Sequence, residues 1–531
     1  MNKAKWVILF LMAVSVAVPS YAVELTLGGF PSYMRTRIRY FGNATFLSTL
    51  DNTQAQALGF SDADDNIAFV DTRLRLTPQL VLSDAVTIRA QVDVFDNVIW
   101  GGATSALLGG NSTLVNSSIT TGDRFRGALL VGTNAIDLGI GESTSTDDVQ
   151  FFNVRMLHVD LVLPNNYGFM RIGRQPFDWG LGILANGGWD PLSDLGFVLD
   201  RFLYLKSWAI YKGTFTFVFV SDRFTQGNSV VTGNGDGWDG GAVALIYNQG
   251  PLTIGGYIFP YIHQTNFGTT CPGAPFGVGS GPPCGFGLDL DRATLYAGVV
   301  DYKNDLFRLV GELQGIQGKV EVDGADDLDL NNNILVAGRV EFYPGFPVPI
   351  IAGEFGFSQG GERGDTNLGG GNDGGIVFNP AYNIDNLLFK NMIPTIYQIE
   401  GSVINAFYAR AWGTVKVLDH VTFTPQVLFA WNDETDSPLV VGQDVDKYLG
   451  TEIEGTVGIE VVRGVNFDLI GSLVINSGGL KDLLEQQGAA NYNAARNPTQ
   501  PACADSGCGE AEDVAYAFQG RVLVYIDQFF K

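Results

Sequence analysis

The connections between strand-like segments alternate in length along the whole chain, and that rhythm restricts the fold more than any composition figure. From about residue 33 onward roughly 18 segments show period-2 polarity. The short connections carry turn chemistry: Ser83-Asp84, Pro164-Asn165-Asn166, Lys212-Gly213, Gln249-Gly250, Lys303-Asn304, Pro344-Gly345-Phe346-Pro347, Asp419-His420 and Arg463-Gly464. The long ones, 97–147, 264–289, 360–400 and 477–512, are rich in Gly, Asn, Ser and Asp. Tight turns at one end and long loops at the other predict an all-β, transmembrane, antiparallel up-and-down β-barrel, with short periplasmic turns and long outer loops.

The N-terminus supplies an address. Lys3 and Lys5 precede the apolar stretch Trp6 to Val18, and Pro19-Ser20-Tyr21-Ala22 places small residues before a cut. Residues 1–22 read as a secretory signal peptide, leaving 23–531 as the barrel. Charged residues make up only 17% of the chain, below the quarter or so usual for soluble domains, as expected where alternate side chains face lipid. The net charge of −24 argues against a nucleic-acid partner, because phosphate binding needs a cationic surface.

Each segment divides into an apolar and a polar face. Arg35, Arg37 and Arg39 alternate with Met34, Thr36 and Ile38; Asp71, Arg73 and Arg75 with Val70, Thr72 and Leu74; Arg89, Gln91 and Asp93 with Ile88, Ala90 and Val92. Between residues 149 and 163, Arg155, His158 and Asp160 fall out of phase, which predicts a bulge. A barrel of this size leaves an aqueous channel unless loops plug it, so the polar face is expected to line the lumen. The basic candidates are Arg35, Arg37, Arg39, Arg73, Arg75, Arg89, Arg155, Arg171 and Arg521, and the acidic ones Asp71, Asp93, Glu312, Glu341, Glu354, Glu452 and Glu454. Guanidinium forks suit carboxylate and phosphate groups, whereas arginines paired with Asp71, Asp93 and Asp96 would simply rigidify the wall. Both readings stay open from sequence.

Four cysteines lie in two close pairs, Cys271 with Cys284 and Cys503 with Cys508, and an oxidising compartment favours loop-stapling disulfides. The three histidines, His158, His263 and His420, come without any nucleophile or metal-ligand motif. Neither an enzyme nor a cofactor is expected. The Asp/Gly loops at 234–237 and 323–333 lack calcium-loop spacing and read as solvated loops.

One stretch carries more than pattern. Gly173-Arg174-Gln175, followed by Gly180 and then by Asp200-Arg201, resembles the alginate-export family of 18-stranded outer-membrane barrels. The segment is similar also to Gram-negative barrels with the pattern G-R-x-x-x-x-W-G-L-G-x-L-x-N, filled here by Gly173, Arg174, Trp179, Gly180, Leu181, Gly182, Leu184 and Asn186. Pro176 after the Gly-Arg-Gln departs from the alginate-export pattern. The resemblance implies an inward-folding loop after the fifth strand and an electropositive conduit for anionic polysaccharide.

The expectation is therefore a porin-like channel of the Gram-negative outer membrane passing polar or anionic solutes, saccharides among them, through an Arg-lined lumen. The alternatives are an anionic-polysaccharide export pore and a structural barrel sheathing a partner such as a periplasmic or outer-membrane cytochrome. Expected partners are outer-membrane lipid, the solutes, the barrel insertion machinery that reads the aromatic C-terminus near Phe530 and, as one option, further copies in a homo-oligomer.

Overall fold

The computed structural model describes residues 24–27, 30–44, 49, 51–52, 66–99, 152–194, 196–223, 239–270, 286–322, 328–360, 376–397, 402–436, 443–495 and 509–529. Residues 1–22, read above as a signal peptide, the four cysteines, Phe530 and most of the 97–147 loop lie outside the described residues.

Twenty strand segments form one sheet. Two of these continue a neighbour across a short break, so the described wall is an antiparallel barrel of 18 strands. Strand β1 comprises Glu24–Leu27 and Tyr33–Gly42, and β2 comprises Ile67–Leu76 and Pro78–Ser83, interrupted at Thr77. There follow β3 (Val86–Ile99), β4 (Phe152–Leu163), β5 (Gly168–Pro176), β6 (Val198–Ile210), β7 (Gly213–Arg223) and β8 (Asp239–Gln249). Next come β9 (Leu252–Thr270), β10 (Phe286–Lys303), β11 (Phe307–Val322), β12 (Leu328–Phe342) and β13 (Ile350–Ser358). The wall ends with β14 (Ala406–Leu418), β15 (Val421–Asn432), β16 (Tyr448–Val462), β17 (Val465–Asn476) and β18 (Val514–Tyr525). The β1–β18 ladder, with Arg37 opposite Arg521, closes the sheet and leaves no free edge in lipid.

Alternation within each strand sets which side chains meet lipid. On β1, Ile38 is 62% exposed while Arg37 beside it is 1%. The same contrast recurs around the wall, where Leu309, Val340, Phe355, Ile453 and Phe518 stand outward and Glu312, Ala337, Glu354, Glu452 and Gln519 inward. Aromatic pairs mark both ends of this apolar band: Trp208–Phe215 and Tyr302–Phe307 near the short turns, Tyr40–Tyr516 and Phe407–Trp431 near the long loops. A closed barrel with an apolar exterior is an outer-membrane protein.

The bulge expected in β4 is present. Pairing with β3 jumps from Gln91↔Met156 to Val92↔Val154, leaving Arg155 as the extra residue. That extra residue keeps Arg155, His158 and Asp160 all buried on the inner side. The long connections, read from sequence as polar loops, contain more order than expected. A π-helical turn, Leu388–Met392, runs into the short helix α1 (Ile393–Tyr397), and α2 spans Gly478–Ala495.

Candidate functional site: two segments seated inside the barrel

Residues 177–197, between β5 and β6, turn into the lumen. Gly173 at the top of β5 sets the geometry: its φ is +125°, and a Cβ there would lie 2.3 Å from the Leu157 carbonyl oxygen. Gln175 then ties β5 to β6, donating from Nε2 to the Gly173 and Arg201 carbonyls. Phe177 lies under the Arg201 guanidinium, 4.3 Å from its ring centroid. Arg201 in turn forks onto Asp222 at 2.5 and 2.6 Å. Trp179 packs edge-on against Tyr257 of β9 with centroids 4.8 Å apart. Gly180, at φ +57°, allows the turn to close on Glu312 of β11, whose carboxylate accepts from the Leu181 and Gly182 amides at 2.5 and 3.0 Å.

From there the segment crosses to the opposite wall. The Gly187 carbonyl accepts from Arg155, the Gly188 carbonyl from Arg75, and the Pro191 carbonyl from Arg35. Arg73 donates to the Ser193 and Asp194 carbonyls. The Asp194 side chain bridges Arg35 at 2.7 Å and Arg37 at 2.6 Å. At the lower end Trp189 stacks on Phe30, 3.9 Å between centroids.

The segment 376–397, between β13 and β14, is seated by the same device. Glu452 on β16 accepts from the Asn386, Leu387 and Leu388 amides at 3.3, 3.1 and 2.8 Å. Asp385 accepts from the Phe389 and Lys390 amides, and the Ile384 carbonyl from Arg410 and Gln426. Phe378, Leu387, Leu388, Phe389, Met392, Ile393 and Ile396 are fully buried and share one cluster with Ile183 and with Leu480, Leu483 and Leu484 of α2. Burying each such side chain contributes about 1.5–3 kcal/mol. The two inserted segments also bond to each other: Asn379 donates to the Ile183 and Leu184 carbonyls, and Ser193 to the Ala381 carbonyl.

The predicted lining residues divide into two groups. Arg35, Arg37, Arg39, Arg73 and Arg75 face inward but are at most 3% exposed, covered by residues 187–194 and paired with Asp71, Asp93 and Asp194. Arg155 is likewise covered. Nearer the short-turn end, Arg89 and Arg171 share Asp160 and keep a quarter of each side chain exposed. Arg521 pairs with Asp468. His158, 3.4 Å from Asp160, belongs to the same cluster. Among the acidic candidates, Glu354 holds Arg339 and Arg410, Glu341 accepts from Tyr343 and lies 3.6 Å from Arg339, and Glu454 accepts from Thr456. Glu312 and Glu452 hold backbone amides. The side chain of Asp96 lies outside the described residues.

Of the motif residues, Gly173, Gln175, Trp179, Gly180 and Arg201 build the inward turn, whereas Arg174 and Asp200 pair with each other elsewhere on the wall. Three further residues belong to the site. Asp194 is the carboxylate at the centre of the arginine cluster; burial opposes its charge, but Arg37, Arg35 and Arg39 outweigh burial and hold it well below the usual carboxylate range. Lys390 is pulled down to about 8 by burial, with Asp194 and the arginines Arg37, Arg39 and Arg35 acting on it. Burial, helped by the Glu454 charge, pushes Asp385 up to about 7. The sequence signal for Asp385 and Lys390 was the apolar run around 384–396 within a loop otherwise rich in Gly and Asn.

The chain matches no protein-family model and no curated protein. Among solved structures it is similar to OpdQ of Pseudomonas aeruginosa (9% identity over 93% of this chain and 96% of that one, TM-score 0.41). It is similar also to OccAB4 of Acinetobacter baumannii (10% identity, 93% and 98%, TM-score 0.40). An anion-selective porin from Comamonas acidovorans aligns at 12% identity over 95% and 99%, with a TM-score of 0.37. The barrel rests on the closed sheet of this chain itself.

Proposed function

We propose that the protein is a passive outer-membrane channel for small polar solutes with a preference for anions, and that the two inserted segments form its constriction. The observation that carries this reading is a local charge imbalance. Among the described residues, Arg35, Arg37, Arg39, Arg73, Arg75, Arg155 and Lys390 gather around Asp194, and the carboxylates that answer them are Asp71, Asp93, Asp194 and, toward Lys390, Glu454. A surplus of fixed positive charge in a narrow cleft with low-dielectric walls concentrates anions. Because the wall arginines spend donors on the inserted backbone and on Asp71, Asp93 and Asp194, the reading gives the solute-facing role to Lys390 and to the partly exposed Arg89 and Arg171.

The test is ion selectivity of a Lys390→Glu variant in a planar bilayer under a salt gradient. A two-charge change at the constriction should move the reversal potential toward the cation side while barrel folding is unaffected. An unchanged potential would remove Lys390 from the path. A second reading, a barrel closed at rest, is favoured by the fully buried apolar cluster linking both segments to α2; in that case steps appear only after residues 178–195 are shortened. Export of anionic polysaccharide draws on the resemblance of residues 167–206 alone.

A further inference from the structure

Five consecutive amides of the second inserted segment, Asn386 to Lys390, point at two carboxylates. Glu452 of β16 accepts from the first three, and Asp385 of the segment itself from the last two. Both acids are buried. Glu454, the next inward residue of β16, accepts from Thr456, and its charge acts on Asp385 and on Glu452. Carboxylates gathered in one dry site do not all ionise together, because burial and mutual repulsion both oppose it.

The cations around this seat are mostly bound elsewhere. Arg410 of β14 forks onto Glu354 of β13 and gives Nη1 to the Ile384 carbonyl. Arg339 of β12 shares Glu354 and donates to Tyr382. Arg521 of β18 pairs with Asp468 of β17. The neighbouring β15 and β17 contribute only the neutral Gln426 and Ser472 to the seat, bonded to Ile384 and Asn386. Helix α2 packs its leucines on the segment, while its Lys481, Asp482 and Glu485 bond to Asp513 and to the Asp446 and Ala511 amides. Among the described residues one cation is left, Lys390, and its charge acts on Glu454 and on Asp194 of the first inserted segment.

The seat is also tied to the rest of the constriction. Asn379 donates to the Ile183 and Leu184 carbonyls, Asn383 reaches Ser193 Oγ at 3.3 Å, and Ser193 donates to the Ala381 carbonyl. A movement of residues 386–390 therefore bears directly on residues 183–194, which cross the lumen. We propose that the channel is closed by acid: a proton held among Asp385, Glu452 and Glu454 seats the turn against the wall, and its release frees the turn and widens the constriction. This rests on the channel reading above and adds a control over passage. The direction agrees with Asp385, whose carboxyl burial pushes up to about 7. Its contribution to seating is complete below about pH 3.9 and is lost as pH rises through about 7.

The full-length protein is reconstituted in planar bilayers, with identical buffers on both sides stepped from pH 4 to 8. Mean conductance should rise from about pH 4 to 7, no more steeply than about tenfold per unit for one proton, and level off above that range. Asp385→Asn keeps an acceptor oxygen but cannot ionise, and it should hold the low acid level throughout. Glu454→Gln removes one repelling charge and should end the rise at a lower pH; this variant carries the test if Asp385→Asn folds poorly. Discrete steps that ignore pH, or a folded Asp385→Asn that follows the unmodified curve, would overturn the switch and leave the channel reading standing. Absence of steps at every pH would instead remove the channel reading. Hydrogen exchange of residues 183–194 then decides the switch alone: corrected rates that rise from about pH 4 to 7 keep it, and constant rates overturn it.

Discussion

At the residue scale Asp194 is the most consequential side chain the structure reveals. Its carboxylate joins Arg35 and Arg37 across 159 and 157 residues of sequence separation, and removing one partner of a buried pair costs about 3–5 kcal/mol. Asp194→Asn should therefore release residues 187–194, read as faster hydrogen exchange there and as larger single-channel conductance, with the barrel still folded. The acidity of the group fixes the pH range. A carboxylate held below its usual value stabilises the seated state above that usual value and loses the contribution only as pH falls through its low seated value, so this anchor holds at neutral pH. Asp385 behaves in the opposite sense. Because its seated value is raised to about 7, its contribution is complete below about pH 3.9 and is lost as pH rises through about 7. Hydrogen exchange of residues 386–392, corrected for the intrinsic base-catalysed rate, should accelerate from about pH 4 to 7 and level off above it. Asp385→Asn should flatten that rise; a rise of the same size in the variant would contradict this assignment.

At the element scale the wall was legible in the sequence, the inward loop after β5 came only from the resemblance of its motif, and the 376–397 insertion was not legible. Lipid on one side and polar groups on the other impose period-2 polarity, which is why the segments read from 33–41, 86–94 and 409–417 fall inside β1, β3 and β14. The bulge at Arg155 was legible for the same reason, since an extra residue shows as a phase slip. The break of β1 between Leu27 and Tyr33 was not, because it answers a tertiary contact, the Phe30–Trp189 stack. Residues 376–397 were read as a polar outer loop. Their apolar side chains find partners only in residues distant in sequence, Ile183 and the α2 leucines, and such pairing leaves no local period. Asp194 and Lys390 escaped because the lining candidates were drawn only from strands. Seating by wall carboxylates makes its own prediction. Glu452→Gln leaves one acceptor oxygen where the carboxyl offers two to three amides, each bond lost contributing about 0.5–1.5 kcal/mol. Proteolytic cleavage within 386–397 should become readily detectable in the variant, with its heat-modifiable gel mobility retained.

At the scale of the whole molecule, a closed sheet with apolar side chains outward obliges the polar groups to gather within. Those groups are mostly satisfied by the protein itself: arginines by the inserted backbone, Glu354 by Arg339 and Arg410, Asp160 by Arg89 and Arg171. Around Asp194 the described charges leave a positive surplus, and the account of transport depends on that local surplus. It is tested most directly by the conductance of the unmodified protein in a planar bilayer separating two concentrations of potassium chloride. Discrete steps whose reversal potential lies on the chloride side are the predicted result. Steps reversing on the potassium side would contradict the account.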